Sequence, residues 1–213
     1  MGESLPIVES FHSIQGEGAH SGRSAFFIRL AGCKVGCSWC DTKYSWSTSN
    51  FPLVDVYSLS LDTAKARSNG AGFVVITGGE PLHHNLNYLA EAIRTCTTID
   101  KQKPMPIHLE TSGVEKITGS PDWITLSPKR HSPPCIEALN SSNEIKVVVH
   151  SDEDLTFAEE IASKIKIDKS QKILLFLQAG WGDENGQKLA VEYVKRNSNW
   201  RLSMQTHKWI GIE

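Results

Sequence analysis

The chain lacks several features that mark large classes of protein. It has no surplus of positive charge, because 22 Lys and Arg residues face 24 Asp and Glu residues, for a formal net charge of −2. A protein that binds nucleic acid or an anionic membrane by general electrostatics needs such a surplus. We therefore expect no direct nucleic-acid partner and no membrane partner.

Long apolar runs are also missing. No segment approaches the roughly 18 consecutive apolar residues of a membrane span, and the first residues lack the cationic start and apolar core of a signal peptide. The 213 residues are 39% hydrophobic and 22% charged, an ordinary globular composition that argues against disorder. We expect a folded protein in the cytoplasm.

Cysteine is scarce and unevenly distributed. The chain has five cysteines, an odd number that argues against a secreted disulfide scaffold. Cys33, Cys37 and Cys40 fall within one short segment, whereas Cys96 and Cys135 stand alone. The three clustered thiols therefore need an explanation other than disulfide bonding.

Apolar runs alternate with amphipathic stretches, and this alternation predicts a parallel α/β sheet. The runs are nearly unbroken, as expected of strands that are covered on both faces. The predicted strands are residues 25–30, 73–77, 107–110, 123–127, 145–149 and 173–178. The predicted helices are residues 85–96, 152–165 and 185–196.

The length limits the number of strand–helix units. A closed eightfold barrel usually needs about 250 residues, or about 30 for each unit. Setting aside roughly the first fifty residues leaves room for only about five or six units. We therefore predict an incomplete parallel βα barrel, with an open parallel sheet as the alternative, in a single domain over residues 1–213.

The clustered cysteines directly follow the first predicted strand, at the end where α/β folds place their sites. Gly32 and Gly36 permit backbone conformations that let three thiolates converge on one point. Structural zinc takes four ligands, most often as two separated cysteine pairs, and no second pair follows here. Three thiolates on a four-iron cluster would instead leave one iron open to a small ligand.

Two other readings of the three thiols remain open from their spacing alone. His12, His20 or Cys135 could complete a zinc site, or the thiols could be unrelated buried side chains. The Cys-x3-Cys-x2-Cys spacing, however, resembles the signature of the radical S-adenosylmethionine (SAM) superfamily. In that superfamily SAM chelates the open iron, and one electron from the cluster cleaves SAM to a radical that abstracts a substrate hydrogen.

Other strand ends carry groups suited to a ligand. Gly-Gly-Glu-Pro at 78–81 follows a predicted strand, so the backbone can approach a ligand closely, and Glu80 offers an acceptor for a cationic group. Residues 110–113 and 127–129 add hydroxyls and a lysine, although polar strand termination explains them equally well. Gln178 ends the last long strand and could close the adenosine side of a pocket.

The two ends of the chain add further candidates. Gln-Gly-Glu-Gly at 15–18 would expose backbone donors and acceptors to a flat heterocycle, or would simply be a hairpin turn. Arg29 lies in an apolar strand and needs an anion, which could be Glu17, another structural partner or a substrate carboxylate. Residues 198–213 stay apolar and aromatic, so we expect a packed tail. His207 would be a core residue or a proton-transfer group.

Hard oxygen donors follow the last clustered cysteine. Asp41 and Thr42 stand directly beside Cys40. A magnesium ion that is held by few protein ligands and completed by substrate oxygens suits such donors.

These motifs together resemble the 7-carboxy-7-deazaguanine synthase family, radical SAM enzymes of queuosine biosynthesis. The segments concerned are Gln-Gly-Glu-Gly, the cysteine motif with the following Asp-Thr, Thr-Gly-Gly-Glu-Pro, Glu-Thr-Ser-Gly, Ser-Pro-Lys and the tail Arg-Leu-Ser-Met-Gln-Thr-His-Lys. The resemblance begins at about residue 9 and is weak over residues 44–72 and 130–172. An activase of glycyl-radical proteins is the rival class, but the first turn and the apolar tail would then lack a purpose.

The resemblance implies a radical ring contraction of 6-carboxy-5,6,7,8-tetrahydropterin to 7-carboxy-7-deazaguanine with release of ammonia, a carbon–nitrogen lyase reaction. It implies a 4Fe-4S cluster, SAM and Mg2+ as cofactors. It also implies a homodimer, with an electron donor such as flavodoxin. The segments involved would be the substrate-binding segment 1–24, the cluster loop 31–43 and the tail 198–213.

The resemblance also implies roles for individual residues. Cys33, Cys37 and Cys40 would hold the cluster, and Thr42 would hold magnesium. SAM would contact Trp39, Cys40, Asp41, Gly79, Glu80, Ser112, Ser127, Pro128, Lys129 and Gln178. The substrate would contact Ile14, Gln15 and Gly16, largely through backbone groups, and also Glu17, Arg29, Thr77 and the carboxylate of Glu213.

Overall fold

The computed structural model describes residues 3–98, 102–165 and 172–213. Within these residues the chain forms nine strands and six α-helices. The strands are β1 Ser4–Ile14, β2 Ser24–Leu30, β3 Leu53–Asp55, β4 Val74–Gly78, β5 Ile107–Thr111, β6 Trp123–Leu126, β7 Glu144–Val149, β8 Leu174–Ala179 and β9 Trp200–Ser203. The helices are α1 Val56–Ser68, α2 Asn87–Thr97, α3 Ile136–Ser141, α4 Asp152–Ser163, α5 Glu184–Arg196 and α6 Thr206–Ile210.

The nine described strands form one sheet in the order β3-β1-β2-β4-β5-β6-β7-β8-β9. From β2 to β9 each neighbouring pair is parallel, whereas β1 pairs antiparallel with both β2 and β3. Within the described residues the two outer strands, β3 and β9, do not pair with each other. The sheet is therefore an unclosed, mostly parallel barrel, which confirms the predicted fold.

All six predicted strands and all three predicted helices are present, with ends that differ by no more than two residues. Helix α1, like β1, β3, β9, α3 and α6, is not among the predicted elements. Its buried side chains include Ser60 and Thr63 beside Leu59, so a simple apolar stripe is missing. The hydroxyl of Thr63 donates to the backbone oxygen of Leu59 at 2.8 Å, which satisfies a buried polar group within the helix itself.

The helices cover the outer face of the barrel in two apolar layers. Residues of α1 and α2 pack against β1, β2, β4 and β5, and residues of α3, α4 and α5 pack against β6, β7, β8 and β9. Because side chains alternate along a strand, the remaining positions face the barrel interior. Of the described helices, none combines the length and apolarity needed to cross a membrane.

Aromatic and histidine rings stack at the end of the barrel where the parallel strands begin. His20 lies 4.4 Å from Trp123 and 4.6 Å from His108 between ring centroids, and His108 lies 4.1 Å from Phe73. Burial, with smaller effects from His20 and Arg23, lowers the pKa of His108 to about 3. This stack fills one end of the barrel with neutral rings, so the opposite end remains for a site.

Candidate functional site

A cavity of about 770 Å³ lies at the carboxyl ends of the barrel strands and extends into the polar interior. It brings together every predicted site residue except Pro128. Those residues are Ile14, Gln15, Gly16, Glu17, Arg29, Cys33, Cys37, Trp39, Cys40, Asp41, Thr42, Thr77, Gly79, Glu80, Ser112, Ser127, Lys129, Gln178 and Glu213. Segments far apart in sequence thus meet because parallel strands end on the same side of a sheet.

The cluster loop is anchored where it leaves β2. The N–H of Gly32 donates to the carbonyl of Ser45 at 2.7 Å, and the N–H of Cys33 donates to that of Trp46 at 3.1 Å. A Cβ atom on Gly79 would lie 2.4 Å from the backbone oxygen of Gly32, so only glycine permits this approach of the β4 turn. All three clustered cysteines are free thiols, with Cys37 the most buried.

The zinc alternatives gain no support from the described residues. Among these residues, no group of three or more His, Cys, Asp or Glu side chains is arranged to hold a single metal ion. His12 contacts Ser24 on β2, His20 lies in the ring stack at the far end of the barrel, and Cys135 immediately precedes α3. Separate thiolates suit a four-iron cluster, in which each binds a different iron.

A partly buried lysine lies near the cysteines. Lys129 donates from Nζ to the Ser127 hydroxyl at 2.7 Å. Burial lowers the pKa of Lys129, and the nearby Cys37 opposes that shift. Burial raises the pKa of the Cys37 thiol, and Lys129 opposes it. A positive charge here favours thiolates, which are the form that binds iron.

Glu80 has a structural role that its sequence context did not reveal. It is 1% exposed, and one carboxylate oxygen accepts from the Leu82 N–H at 3.0 Å and the Thr111 hydroxyl at 2.5 Å. The other accepts from the N–H of Ser112 at 2.8 Å and also from its hydroxyl. Both oxygens are therefore engaged by protein donors, and a cationic ligand at Glu80 would have to displace one of them.

Arg29 contacts an acidic residue other than the one suggested by the sequence. Its Nε donates to Glu9 Oε1 at 2.6 Å, across the antiparallel β1–β2 pair. Among the described residues its terminal guanidinium nitrogens have no acceptor. A structural partner thus holds Arg29, and the guanidinium still presents N–H groups to a ligand anion in the cavity.

Glu17 instead forms an ion pair with Lys146, a residue that the sequence analysis missed. Burial alone would raise the pKa of Glu17, but the charge and hydrogen bond of Lys146, together with smaller effects of Gln205 and His207, outweigh burial and lower this pKa to about 2. Burial would lower the pKa of Lys146, yet Glu17 and Glu110 raise it above its usual range. Lys146 interrupts the apolar run of β7, and a single lysine in a buried strand was the available signal.

Gln15 and Thr77 meet at Glu110, inside the barrel. Gln15 Nε2 donates to Glu110 Oε1 at 2.9 Å, and the Thr77 hydroxyl donates to Glu110 Oε2 at 2.9 Å. The backbone N–H and C=O of Gln15 are used in the hairpin with Arg23 and Gly22. The Gln15 N–H is therefore already engaged, its carbonyl keeps one further lone pair for a ligand, and the residue lines the cavity.

The tail lies along the cavity through polar contacts. The Thr206 N–H donates to the Gly16 carbonyl at 3.0 Å, and Lys208 Nζ lies 2.6 Å from Asp41 Oδ2. Contrary to the expected packing, Trp209 and Ile210 are 64% and 61% exposed. Five residues of helix offer few inward positions, so the attachment of α6 is mainly polar.

His207 lines the cavity and closely approaches Gly16. Burial lowers the pKa of His207, and the nearby Glu17 opposes that shift. Of the two roles considered for this residue, a place in the apolar core does not match a position on the cavity wall.

Comparisons with known proteins agree with this geometry. The 4Fe-4S single cluster domain family matches residues 14–118. Curated relatives named 7-carboxy-7-deazaguanine synthase include one from Prochlorococcus marinus, 55% identical over 100% of both chains. Another, from Synechocystis sp., is 46% identical over 98% of this chain and 94% of the relative. The crystal structure of QueE from Escherichia coli matches with a TM-score of 0.78 and 32% identity, covering 94% of this chain and 93% of that chain.

An open parallel barrel with a three-cysteine loop at its cavity is the architecture of a radical SAM enzyme that carries a 4Fe-4S cluster. The full-length similarity to curated relatives narrows this class. The chain belongs to the 7-carboxy-7-deazaguanine synthase family.

Proposed function

We propose that this protein is a 7-carboxy-7-deazaguanine synthase, which converts 6-carboxy-5,6,7,8-tetrahydropterin to 7-carboxy-7-deazaguanine and releases ammonia. The proposal rests on one observation: the three cysteines, Arg29 and Gln15 line the same cavity. The name of the relatives supports the reaction. The position in queuosine biosynthesis follows from the product.

The chain's own residues would divide the cavity into a cofactor end and a substrate end. Cys33, Cys37 and Cys40 would hold the cluster, which together with bound SAM supplies the one-electron chemistry that starts the rearrangement. Further SAM contacts would come from Trp39, Asp41, Gly79, Glu80, Ser112, Ser127, Pro128, Lys129 and Gln178. Of these, Pro128 does not line the cavity, so its contact would be limited to holding Ser127 and Lys129 in place.

The substrate end is polar and strongly preorganised. Arg29, oriented by Glu9, would bind the substrate carboxylate through its terminal N–H groups. Thr77 and Gln15, both fixed by Glu110, would contact the pterin ring together with Ile14, Gly16 and the end of the tail at Glu213. Glu17 would act through its ion pair with Lys146, which holds the 15–18 turn against β7.

Magnesium would bind between the two ends, at Thr42. The Thr42 hydroxyl lies 3.5 Å from Cys40 Sγ, and Thr42 lines the cavity. The neighbouring Asp41 is paired with Lys208 through Oδ2, so the protein donors at this point are few. A magnesium ion held mainly by substrate oxygens and water fits this small donor set.

The proposal extends to assembly and surroundings. Trp181 and Trp209 form an exposed aromatic pair with ring centroids 5.6 Å apart, beside the exposed Ile210. An apolar patch of this kind suits the homodimer that we propose. The cluster requires reducing conditions, so we place the enzyme in the cytoplasm, with an electron donor such as flavodoxin.

An anaerobic assay tests the proposed reaction. Protein with a reconstituted cluster, supplied with SAM, a reductant and carboxytetrahydropterin, should form the deazaguanine acid and ammonia. A Cys33→Ala variant should form neither, whereas Cys96→Ala, which changes a thiol outside the cavity, should keep the activity. A protein that cleaves SAM with an intact cluster but leaves the pterin unchanged would contradict the assignment.

A further inference from the structure

His150 forms a carboxylate–histidine pair at the edge of the cavity, outside the set of residues considered so far. It directly follows β7, and its Nδ1 lies 2.5 Å from Asp183 Oδ2. The other oxygen of Asp183 accepts from the Gly186 N–H at 2.8 Å and caps α5. One carboxylate therefore fixes both the start of a helix and the orientation of the imidazole.

The hydrogen bond to Asp183 also sets which nitrogen of His150 is available. A carboxylate accepts hydrogen bonds, so Nδ1 carries the proton, and Nε2 of the neutral ring is left as an acceptor. Nε2 is buried, and among the described residues it has no hydrogen-bond partner. The His150 side chain is 30% exposed, so a small shift of the ring brings Nε2 against a donor in the cavity. Because buried polar atoms are almost always paired, such a donor would satisfy this nitrogen.

The surroundings of His150 identify the kind of partner. The ring lines the cavity and lies 5.5 Å from the Trp39 ring between centroids. It also packs against Gly180, where an added Cβ would lie 2.5 Å from His150 Cε1. Gly180 follows β8 two residues after Gln178. Trp39 and Gln178 are both proposed SAM contacts, so His150 lies at the cofactor end, away from Arg29.

We infer that His150 is a SAM-binding residue whose Nε2 accepts a hydrogen bond from an N–H or O–H group of the adenosine part, with Asp183 as its positioning residue. The inference rests on the proposed binding of SAM in this cavity. The adenine amino group and the ribose hydroxyls are the donors that adenosine offers. The Asp183 contact keeps the acceptor ready, which reduces the ordering needed on binding.

Equilibrium binding of S-adenosylhomocysteine to the unreduced, cluster-containing protein tests this role without turnover. A His150→Phe variant retains a ring against Trp39 and Gly180 but has no acceptor, and it should bind the probe about fivefold more weakly, as expected for one hydrogen bond. His150→Gln places an amide near the position of Nε2 and should recover much of the affinity. Circular dichroism and iron content check that both variants are folded and loaded.

Two modified probes identify the donor. S-inosylhomocysteine lacks the 6-amino group, and the 2′,3′-dideoxy form of S-adenosylhomocysteine lacks the ribose hydroxyls. The His150→Phe penalty should vanish for one of these two probes. In addition, the single substitution Asp183→Asn, which retains a helix-capping side chain, should weaken binding. The same substitution added to His150→Phe should weaken it no further.

The inference is overturned if His150→Phe binds S-adenosylhomocysteine as tightly as the wild-type protein does, or if the loss is equal for all three probes. The second result would assign His150 to packing alone. If the wild-type protein with an intact cluster binds none of the probes, the proposed SAM site itself fails, which is a distinguishable outcome.

Discussion

Buried ionisable side chains occupy two different environments within one barrel. At the substrate end, Glu17 and Lys146 are both charged and paired. At the opposite end, His108 is held neutral by burial among rings. The first arrangement keeps charge inside the protein because the two charges compensate each other. The second disfavours charge because burial, His20 and Arg23 all oppose protonation of His108.

The neutral state of His108 predicts a pH-dependent stability. Its pKa is about 3 in the folded protein and about 6.5 in an unfolded chain. The unfolded state therefore binds more protons in this interval, so the stability contributed by neutral His108 is present above about pH 6.5 and is lost as the pH falls toward 3. In a His108→Phe variant, the free energy of unfolding should decrease less between these two pH values than it does in the wild-type protein.

Urea unfolding at a series of pH values measures this difference. His12→Phe provides a control, since His12 is exposed on β1 and lies away from the ring stack. It should keep the wild-type pH dependence. Equal slopes for His108→Phe and the wild-type protein would show that His108 does not contribute to acid sensitivity.

At the scale of elements, the turn after β1 contacts β7 and the segment that follows β9. Gly16 accepts from Thr206 at the start of α6, and Glu17 accepts from Lys146 in β7 and from Gln205. These contacts hold the turn against β7 and against the residues that follow β9. The proposed substrate-binding residues of the turn and of the tail are thereby held in fixed relative positions.

A Gly16→Ala change should disturb the contacts between the turn after β1 and the tail. Its Cβ would lie 2.1 Å from Nδ1 of His207, so α6 must move away. We expect at least a tenfold rise in the KM for the pterin with normal iron content, because an ångström-scale misplacement of binding groups costs one to two orders of magnitude. Steady-state kinetics and iron analysis provide the two readouts.

Gly72→Ala provides a matched control for this change. The nearest atom to its added Cβ is the Ser24 backbone oxygen at 3.4 Å, and the residue lies outside the cavity. It should leave the KM unchanged. Unaltered kinetics in Gly16→Ala as well would indicate that α6 does not need its observed position.

At the scale of the whole molecule, the two faces of the barrel have different roles. The outer face is apolar and helix-covered, and the inner face is polar toward the carboxyl ends of the strands. A 213-residue chain achieves this with an unclosed sheet in which only the pairs that include β1 are antiparallel among the described strands. The stability of the fold and the chemistry of the cavity thus depend on alternate residues of the same strands.

Metal analysis tests whether the protein carries the cluster of a radical SAM enzyme. After anaerobic reconstitution we expect about four irons and four acid-labile sulfides per chain, as for a single 4Fe-4S cluster. Cys37→Ala should lose most of both, and Cys135→Ala, which changes a thiol at the start of α3, should lose neither. Stoichiometric zinc without sulfide in the wild-type protein would end the radical SAM assignment.

The sequence by itself determined six of the nine described strands, three of the six described α-helices and the presence of three thiols in one loop. Both are local properties: apolar runs show strands such as β4, and Cys33, Cys37 and Cys40 are close in the chain. Helix α1 was not predictable in the same way, because its buried Ser60 and Thr63 are satisfied by backbone groups rather than by an apolar stripe.

Only the tertiary structure decided which partners meet across the barrel. It paired Arg29 with Glu9, placed Lys146 against Glu17, and set His150 between Asp183 and Trp39. These contacts join residues from 20 to 129 positions apart. They depend on strand register and on the direction of each side chain. Because side-chain direction alternates with every residue, a shift of register by one residue would change every partner, so the contacts follow from the assembled sheet rather than from local sequence.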